Sequence, residues 1–346
     1  MIKIGKKIIG KNYSVFVIAE AGINYNNDLK SAYKMVDCAK NSGADAIKFQ
    51  TFVTDSIQLS SAKKPNYQKS INQSYYKILK NLEPNLSQQK KIALYCKKKK
   101  IQFLSTPYDV QSVDFLESLK VPAYKLASSD LSNHFLLEYV AKKRKPILLS
   151  TGLSDFNQIK ETIKFLKKFH VLKNLVILHT NSDYPTKPSD VNLNVIPKFI
   201  KSFNLPVGFS DHTVNEVASL GAVALGASVI EKHFTLDRRL PGPDQSSSLE
   251  PDELSNFISK IRLLESSLGN SKKIITNSEK KNLTMKKTLV IQAAKKNTKI
   301  TKSMLSALRS NGNVLPTENN VKKIIGKKLL QNIPETSPFN WSMIKN

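Results

Sequence analysis

Pro206-Val207-Gly208-Phe209-Ser210-Asp211-His212 and Ser228-Val229-Ile230-Glu231-Lys232-His233-Phe234 are two short, largely apolar runs, separated by an amphipathic stretch at 214–225. Runs of this kind read as buried strands and the stretch between them as a helix, so the trio is one parallel βαβ unit. The same alternation recurs outward along most of the chain. Strand-like runs lie at 15–20, 46–52, 102–107, 123–129, 146–152, 175–182, 206–212 and 228–234. Helical patterns lie at 29–42, 87–100, 113–120, 135–143, 156–169 and 214–225. A last one, at 251–268, carries Asp252 and Glu253 in its first turn, favourable beside the positive end of the helix dipole. Eight strands, each followed by a helix, close most economically into an α/β fold of the TIM (β/α)8 barrel type, roughly 250 residues long. A doubly wound open sheet is the alternative, but no Gly-x-Gly-x-x-Gly turn opens any unit.

Period two places Ser210 with His212 on one face of the first run, and Glu231 with His233 on one face of the second. Nearly every other strand also ends in a polar residue: Glu20, Lys48, Thr106, Lys125 with Ser128, Ser150 and Ser182. In a barrel all strand C-termini converge on one rim, where the active site forms. Charged groups buried there are unfavourable unless satisfied, so the rim reads as a site, with mutual pairing as the purely structural alternative.

The composition fits this reading. Of 346 residues, 40% are hydrophobic and 23% charged, enough for a large core plus a small second domain. No apolar run approaches the roughly 20 residues a membrane span needs. The first residues carry no apolar signal-peptide core. Cys38 and Cys96 both fall in helical patterns, which predicts reduced thiols and a cytoplasmic protein. The net charge of +27 raises the question of nucleic acid. The excess is mostly lysine, scattered over helix faces and loops without interleaved arginine and aromatics, so a solvated surface is predicted instead, with neither a nucleic-acid nor a membrane partner. The barrel is expected over 1–268 and a polar linker over 269–285. A small β-rich domain follows over 286–346, with helical turns near 301–305 and 317–325.

Read as chemistry, His212 and His233 at adjacent strand ends, with Glu231 beside one of them, are a candidate seat for a divalent metal; hydrogen-bonded structural histidines are the alternative. Lys48 and Lys125, with the hydroxyls of Ser128, Ser150, Ser182 and Ser210, suit a small phosphorylated or carboxylated substrate. Lys125 as a Schiff-base lysine is the competing role. Glu20, held by the turn Ala21-Gly22-Ile23-Asn24, is a candidate acid or base, against simple pairing with Lys48 or Lys125. The stiff loop Leu240-Pro241-Gly242-Pro243-Asp244 presents Asp244 over the rim.

Several of these stretches together resemble the sialic acid synthase family. They are Ile18-Ala19-Glu20-Ala21-Gly22-Ile23-Asn24, Ile47-Lys48-Phe49-Gln50-Thr51, Pro122-Ala123-Tyr124-Lys125-Leu126-Ala127-Ser128 and Pro146-Ile147-Leu148-Leu149-Ser150-Thr151-Gly152. Gly208-Phe209-Ser210-Asp211-His212-Thr213, Val229-Ile230-Glu231-Lys232-His233-Phe234-Thr235 and Pro241-Gly242-Pro243-Asp244 follow in order, and the tail resembles the family's antifreeze-like (SAF) domain more loosely. The resemblance implies a transferase that condenses phosphoenolpyruvate with an N-acetylated amino-sugar aldehyde, N-acetylmannosamine, to a nine-carbon 2-keto acid sugar plus phosphate. It implies His212 and His233 as ligands of Mn2+ or Mg2+. Lys48, Gln50, Lys125, Ser128, Ser150, Ser182 and Ser210 become substrate-binding, and Glu20, Asp244 and Glu231 catalytic. Arg309 of the tail reaches the N-acetyl group, in a domain-swapped homodimer. No covalent lysine belongs to this pattern.

The chain departs from the family at Tyr25 and Gln245, where histidine is common, at Thr180-Asn181, and at Arg309-Ser310-Asn311-Gly312-Asn313, which lacks the proline usual after the arginine. Pro65-Asn66-Tyr67-Gln68 and Leu79-Lys80-Asn81-Leu82 resemble legionaminate-type members, so a legionaminic or pseudaminic acid synthase acting on a diacetamido sugar is the alternative product class. From another class, a non-catalytic carbohydrate-binding protein on a retired barrel is the rival, opposed by the intact Glu20, lysines and histidines.

Overall fold

The amino-acid pattern of alternating short strands and longer helices is what the computed structural model displays over its described residues, 1–64 and 73–345. The chain divides into two units, residues 1–269 and residues 270–346. The first opens with an antiparallel hairpin, β1 (Ile2–Ile4) paired with β2 (Lys7–Ile9). There follow β3 (Phe16–Gly22), α1 (Leu29–Asn41), β4 (Ala46–Thr51), α2 (Thr54–Ile57), α3 (Tyr75–Leu82) and α4 (Leu86–Lys99). Next come β5 (Gln102–Pro107), α5 (Val110–Ser118), β6 (Tyr124–Leu126), α6 (His134–Lys142), β7 (Ile147–Ser150) and α7 (Phe156–Lys167). The unit ends with β8 (Leu175–Thr180), α8 (Val195–Phe203), β9 (Val207–Asp211), α9 (Val217–Ala224), β10 (Val229–His233) and α10 (Pro251–Leu268).

The eight strands β3 to β10 form one sheet in the order β5-β4-β3-β10-β9-β8-β7-β6, with parallel ladders throughout. β6 packs beside β5 to complete the ring. This is the TIM barrel expected from the sequence. Its helices begin where the chain supplies side-chain caps: Asp28, Asn85, Asp109, Asn133 and Asp155 each accept from first-turn amides.

Strand alternation sorts the interior into layers. Phe16, Ile18, Ala46, Leu104, Ala123, Leu148, Val176, Leu178 and Val229 form one buried cluster, joined by Ile2, Ile4 and Ile9 of the hairpin. One step further along the strands, the same inward parity delivers Glu20, Lys48, Thr106, Lys125, Ser150, Ser210 and Glu231. The interior is therefore apolar below and polar at the C-terminal rim. Packing is tight enough to require glycine at Gly208, where a Cβ atom would come within 2.7 Å of the Val229 backbone carbonyl. The outward faces of the strands pack under the helices in a larger apolar cluster.

Two features escape the sequence pattern. The hairpin uses strands of three residues each, too short for periodicity to register. Helix α8 carries Pro197 in its first turn, where the missing amide is tolerated although proline reads as a break. The fourth barrel strand is also shorter than expected, because the chain turns into a 3₁₀ helix at Ser128–Asp130. Pro65 to Gln68 lie outside the described residues, whereas Leu79 to Leu82 close α3.

The second unit contains α11 (Asn277–Lys280), β11 (Lys287–Ile291), β12 (Leu305–Arg309), α12 (Glu318–Ile324) and β13 (Ser337–Pro338). β11 pairs antiparallel with both β12 and β13. Leu289, Ile291, Ile300, Val314, Ile324, Leu329, Ile333 and Phe339 lie in its own buried core.

Candidate active site

A cavity of about 560 Å³ opens at the C-terminal ends of the barrel strands. It is lined by Glu20, Lys48, Gln50, Lys125, Ser128, Ser150, Ser182, Ser210, His212, Glu231 and His233, among others, so residues far apart in the chain meet there. Four buried charges alternate across it. Lys48 Nζ lies 2.7 Å from Glu20 Oε2 and 3.8 Å from Glu231 Oε2. Lys125 Nζ lies 3.5 Å from Glu231 Oε1. Lys48 also donates to Thr106 Oγ1 at 2.9 Å and Lys125 to Ser150 Oγ at 2.7 Å. Ser210 Oγ donates to Glu231 Oε1 at 2.9 Å. The pairing of Glu20 with Lys48 that the sequence left as the alternative is thus present in the free protein.

This arrangement sets the protonation states. Burial disfavours the Glu231 carboxylate, but Lys125, Lys48 and the Ser210 hydroxyl outweigh it and hold the group below its ordinary value. Glu20 has one lysine neighbour close by and Glu231 as a like charge, and burial prevails, raising it. Burial also lowers Lys125, with Lys48 contributing in the same direction, although Glu231 opposes both.

The histidines occupy one edge of the cavity, their ring centroids 5.5 Å apart. His212 Nδ1 lies 2.6 Å from the Asn181 carbonyl oxygen. A carbonyl only accepts, so Nδ1 carries the proton and the lone pair is left on Nε2. His233 Nδ1 is buried without a hydrogen-bond partner. Burial pushes His212 down to about 4 and His233 well below its ordinary value, so both rings are neutral at physiological pH. Two neutral imidazoles, one with an orphaned ring nitrogen, fit a divalent cation. Among the described residues no cluster of three or more His, Cys, Asp or Glu side chains is grouped to hold one.

A hydroxyl cradle lies beside Lys125. Ser128 Oγ accepts from the Gly152 amide at 3.0 Å, and a Cβ atom at Gly152 would collide with the hydroxyls of Ser128 and Ser182. Asp244 is buried on the loop after β10 and sits within electrostatic reach of Lys48, but it is not among the residues lining the cavity. Burial raises it to about 6. Arg309 belongs to the second unit, where it ends β12 opposite Lys287 with its side chain exposed.

The sequence singled out neither Tyr108 nor Asp183 nor Tyr184, which also line the cavity. Tyr184 packs on both imidazoles, 4.1 Å from His212 and 5.8 Å from His233 between ring centroids. All three lie on loops, where no period aims a side chain; their one signal is proximity to a strand C-terminus.

A parallel barrel with lysines, carboxylates, hydroxyls and a histidine pair on its rim defines a class of enzymes handling small anionic substrates. Residues 35–273 match the model of the NeuB family, and the chain belongs to that family. It is 36% identical to the N,N'-diacetyllegionaminic acid synthase of Legionella pneumophila, over 99% of this chain and 98% of that one. The protein of the same name from Campylobacter jejuni is 41% identical, over 79% of this chain and 84% of that one. Among solved structures, the N-acetylneuraminic acid (sialic acid) synthetase of Leptospira borgpetersenii superposes with a TM-score of 0.73 at 33% identity. That match covers 82% of this chain and 94% of the other.

Proposed function

We propose that this protein is a nonulosonic acid synthase, condensing phosphoenolpyruvate with an N-acetylated amino-sugar aldehyde and releasing phosphate. The observation that carries the reading is the buried Glu20–Lys48–Glu231–Lys125 chain beside two neutral histidines in one cavity. Lys48, Lys125 and the hydroxyls of Ser128, Ser150, Ser182 and Ser210 bind the phosphate and carboxylate of phosphoenolpyruvate, charges that a buried site holds more strongly than water does. Gln50 faces the same space and contacts the substrates. Bound between His212 and His233, manganese or magnesium supplies Lewis-acid polarisation of the aldehyde oxygen.

The residues then direct the atoms. Carbon 3 of phosphoenolpyruvate forms the new bond to the aldehyde carbon, and the aldehyde oxygen takes a proton. Water adds at carbon 2 and loses one proton to give a tetrahedral intermediate. Its C–O bond to phosphate then breaks as the new hydroxyl passes its proton to the departing phosphate, leaving the 2-keto acid. Glu20, raised by burial and lining the cavity, can hold a proton near neutrality and is the group that delivers and accepts these protons. Asp244, also raised by burial, lies outside the cavity lining and assists through its electrostatic link to Lys48. Glu231, kept ionised by both lysines, fixes the lysine positions and stabilises the positive charge that develops at carbon 2.

N-acetylmannosamine is the first acceptor to test. A second acceptor, a diacetamido sugar leading to legionaminic acid, is favoured by the two relatives named above. The assay is phosphate release from phosphoenolpyruvate with each aldehyde, with and without manganese. Release that requires both an aldehyde and the metal is expected. Release with no aldehyde, or none with any, overturns the reading. The working molecule is proposed to be a symmetric homodimer in which Arg309 of each chain serves the site of the other.

A further inference from the structure

Asp211 and Lys232 each precede a cavity histidine by one residue, and strand alternation therefore turns them away from the cavity, toward the helix layer. They are direct partners in the β9–β10 register. Their side chains meet at 3.0 Å between Lys232 Nζ and Asp211 Oδ2, with only 1% and 0% of each side chain exposed. The other hydrogen bonds of the pair run to the chain that leaves His212. Lys232 Nζ donates to the Thr213 carbonyl at 2.5 Å and the Asn215 carbonyl at 3.0 Å. Asp211 Oδ1 accepts from the Thr213 amide at 2.8 Å, and Oδ2 from the Ser219 hydroxyl of α9 at 2.6 Å. His212 is thus pinned from behind on both flanks, while the Asn181 carbonyl fixes its ring in front.

Stability alone does not call for such a pair. Two charges taken out of water gain little over well-packed apolar residues of the same volume, which could join the same two strands. What apolar residues could not do is hold the Thr213 and Asn215 carbonyls and the Thr213 amide at fixed points. We infer that Asp211 and Lys232 are positioning residues for His212 and His233: their buried ion pair clamps β9 to β10 and the turn after β9, fixing the separation of the two imidazoles. The inference rests on the reading of those histidines as the metal-holding pair.

The test measures metal binding, separately from turnover. Manganese affinity is titrated by electron paramagnetic resonance, and the visible spectrum of the cobalt-loaded protein reports ligand geometry. The Asp211→Asn/Lys232→Met double variant removes the charges while keeping volume. It is expected to bind manganese at least about tenfold more weakly, with a changed cobalt spectrum and phosphoenolpyruvate affinity within about twofold, since Lys48 and Lys125 are untouched. Ser219→Ala, which deletes one hydroxyl, is the variant to read if the double variant does not fold; a smaller weakening, about threefold, is expected. Wild-type manganese affinity and cobalt spectrum in a folded double variant, or in Ser219→Ala if the double variant fails to fold, overturn the inference. His212→Ala/His233→Ala separates the two claims. If it binds manganese as wild type does, the histidine reading itself is wrong and the clamp falls with it.

Discussion

At the scale of single residues, the inward parity of the strands made most of the site legible. A side chain two positions from a buried inward residue is itself inward, so Glu20, Lys48, Lys125, Ser150, Ser210 and Glu231 could be read from their strands. What parity could not supply is distance. Lys125 was open to Schiff-base chemistry in the sequence, and in the structure it is engaged by Ser150 and Glu231. Lys125→Ala is expected to raise the KM for phosphoenolpyruvate by at least about tenfold, the loss of a charge-assisted contact. Borohydride added during turnover should trap no adduct on Lys125; a trapped adduct defeats the charge-binding role.

Asp244 yields a pH prediction. Its folded value, about 6, lies above the ordinary 3.8, so folding favours the protonated form. That contribution is fully present below about pH 4 and is lost as pH rises through 6. Asp244→Asn should therefore be the more stable protein above pH 7, by up to about 3 kcal/mol, with the difference fading toward pH 4. Urea denaturation across that range checks it, and a pH-independent difference contradicts the shift.

At the scale of elements, the strand ends were legible and the loops beyond them were not. The cradle beside Lys125 is built from the ends of β6, β7 and β8, and it depends on Gly152 having no side chain. Its glycine stood in the sequence as the last residue of a strand-like run, with nothing to mark it as the point where two serines converge. Gly152→Ala should leave the fold intact, since the collision is with hydroxyls that can swing aside. Phosphoenolpyruvate binding should nonetheless weaken by at least about tenfold, because the swing takes them out of the cradle. Calorimetric titration with phosphoenolpyruvate measures this beside a thermal melt, and unchanged affinity removes the cradle from the site. Tyr108, Asp183 and Tyr184 make the same point from the other side, since loop trajectories carry no period from which a direction can be read.

At the scale of the whole molecule, the barrel was legible because eight strand-like runs at barrel spacing admit few other closures, whereas the N-terminal hairpin was invisible for want of length. The proposed dimer makes a prediction that mixing decides. His212→Ala and Arg309→Ala chains should each be nearly inactive alone. Co-expressed with random pairing they should recover roughly a quarter of wild-type activity, because half the dimers are mixed and each has one intact site. No recovery in confirmed mixed dimers assigns Arg309 to its own barrel or to no role. The β1–β2 hairpin, finally, packs Ile2, Ile4 and Ile9 onto the apolar layer at the lower end of the barrel, and the cavity lined by the lysines opens at the rim. Traffic therefore runs through the rim, and the vessel empties in the reverse of its filling order. On the proposed reading phosphoenolpyruvate is seated deepest, against Lys48 and Lys125, and must arrive before the sugar that covers it. Steady-state kinetics should accordingly be sequential and ordered, with the sugar unable to bind productively ahead of phosphoenolpyruvate.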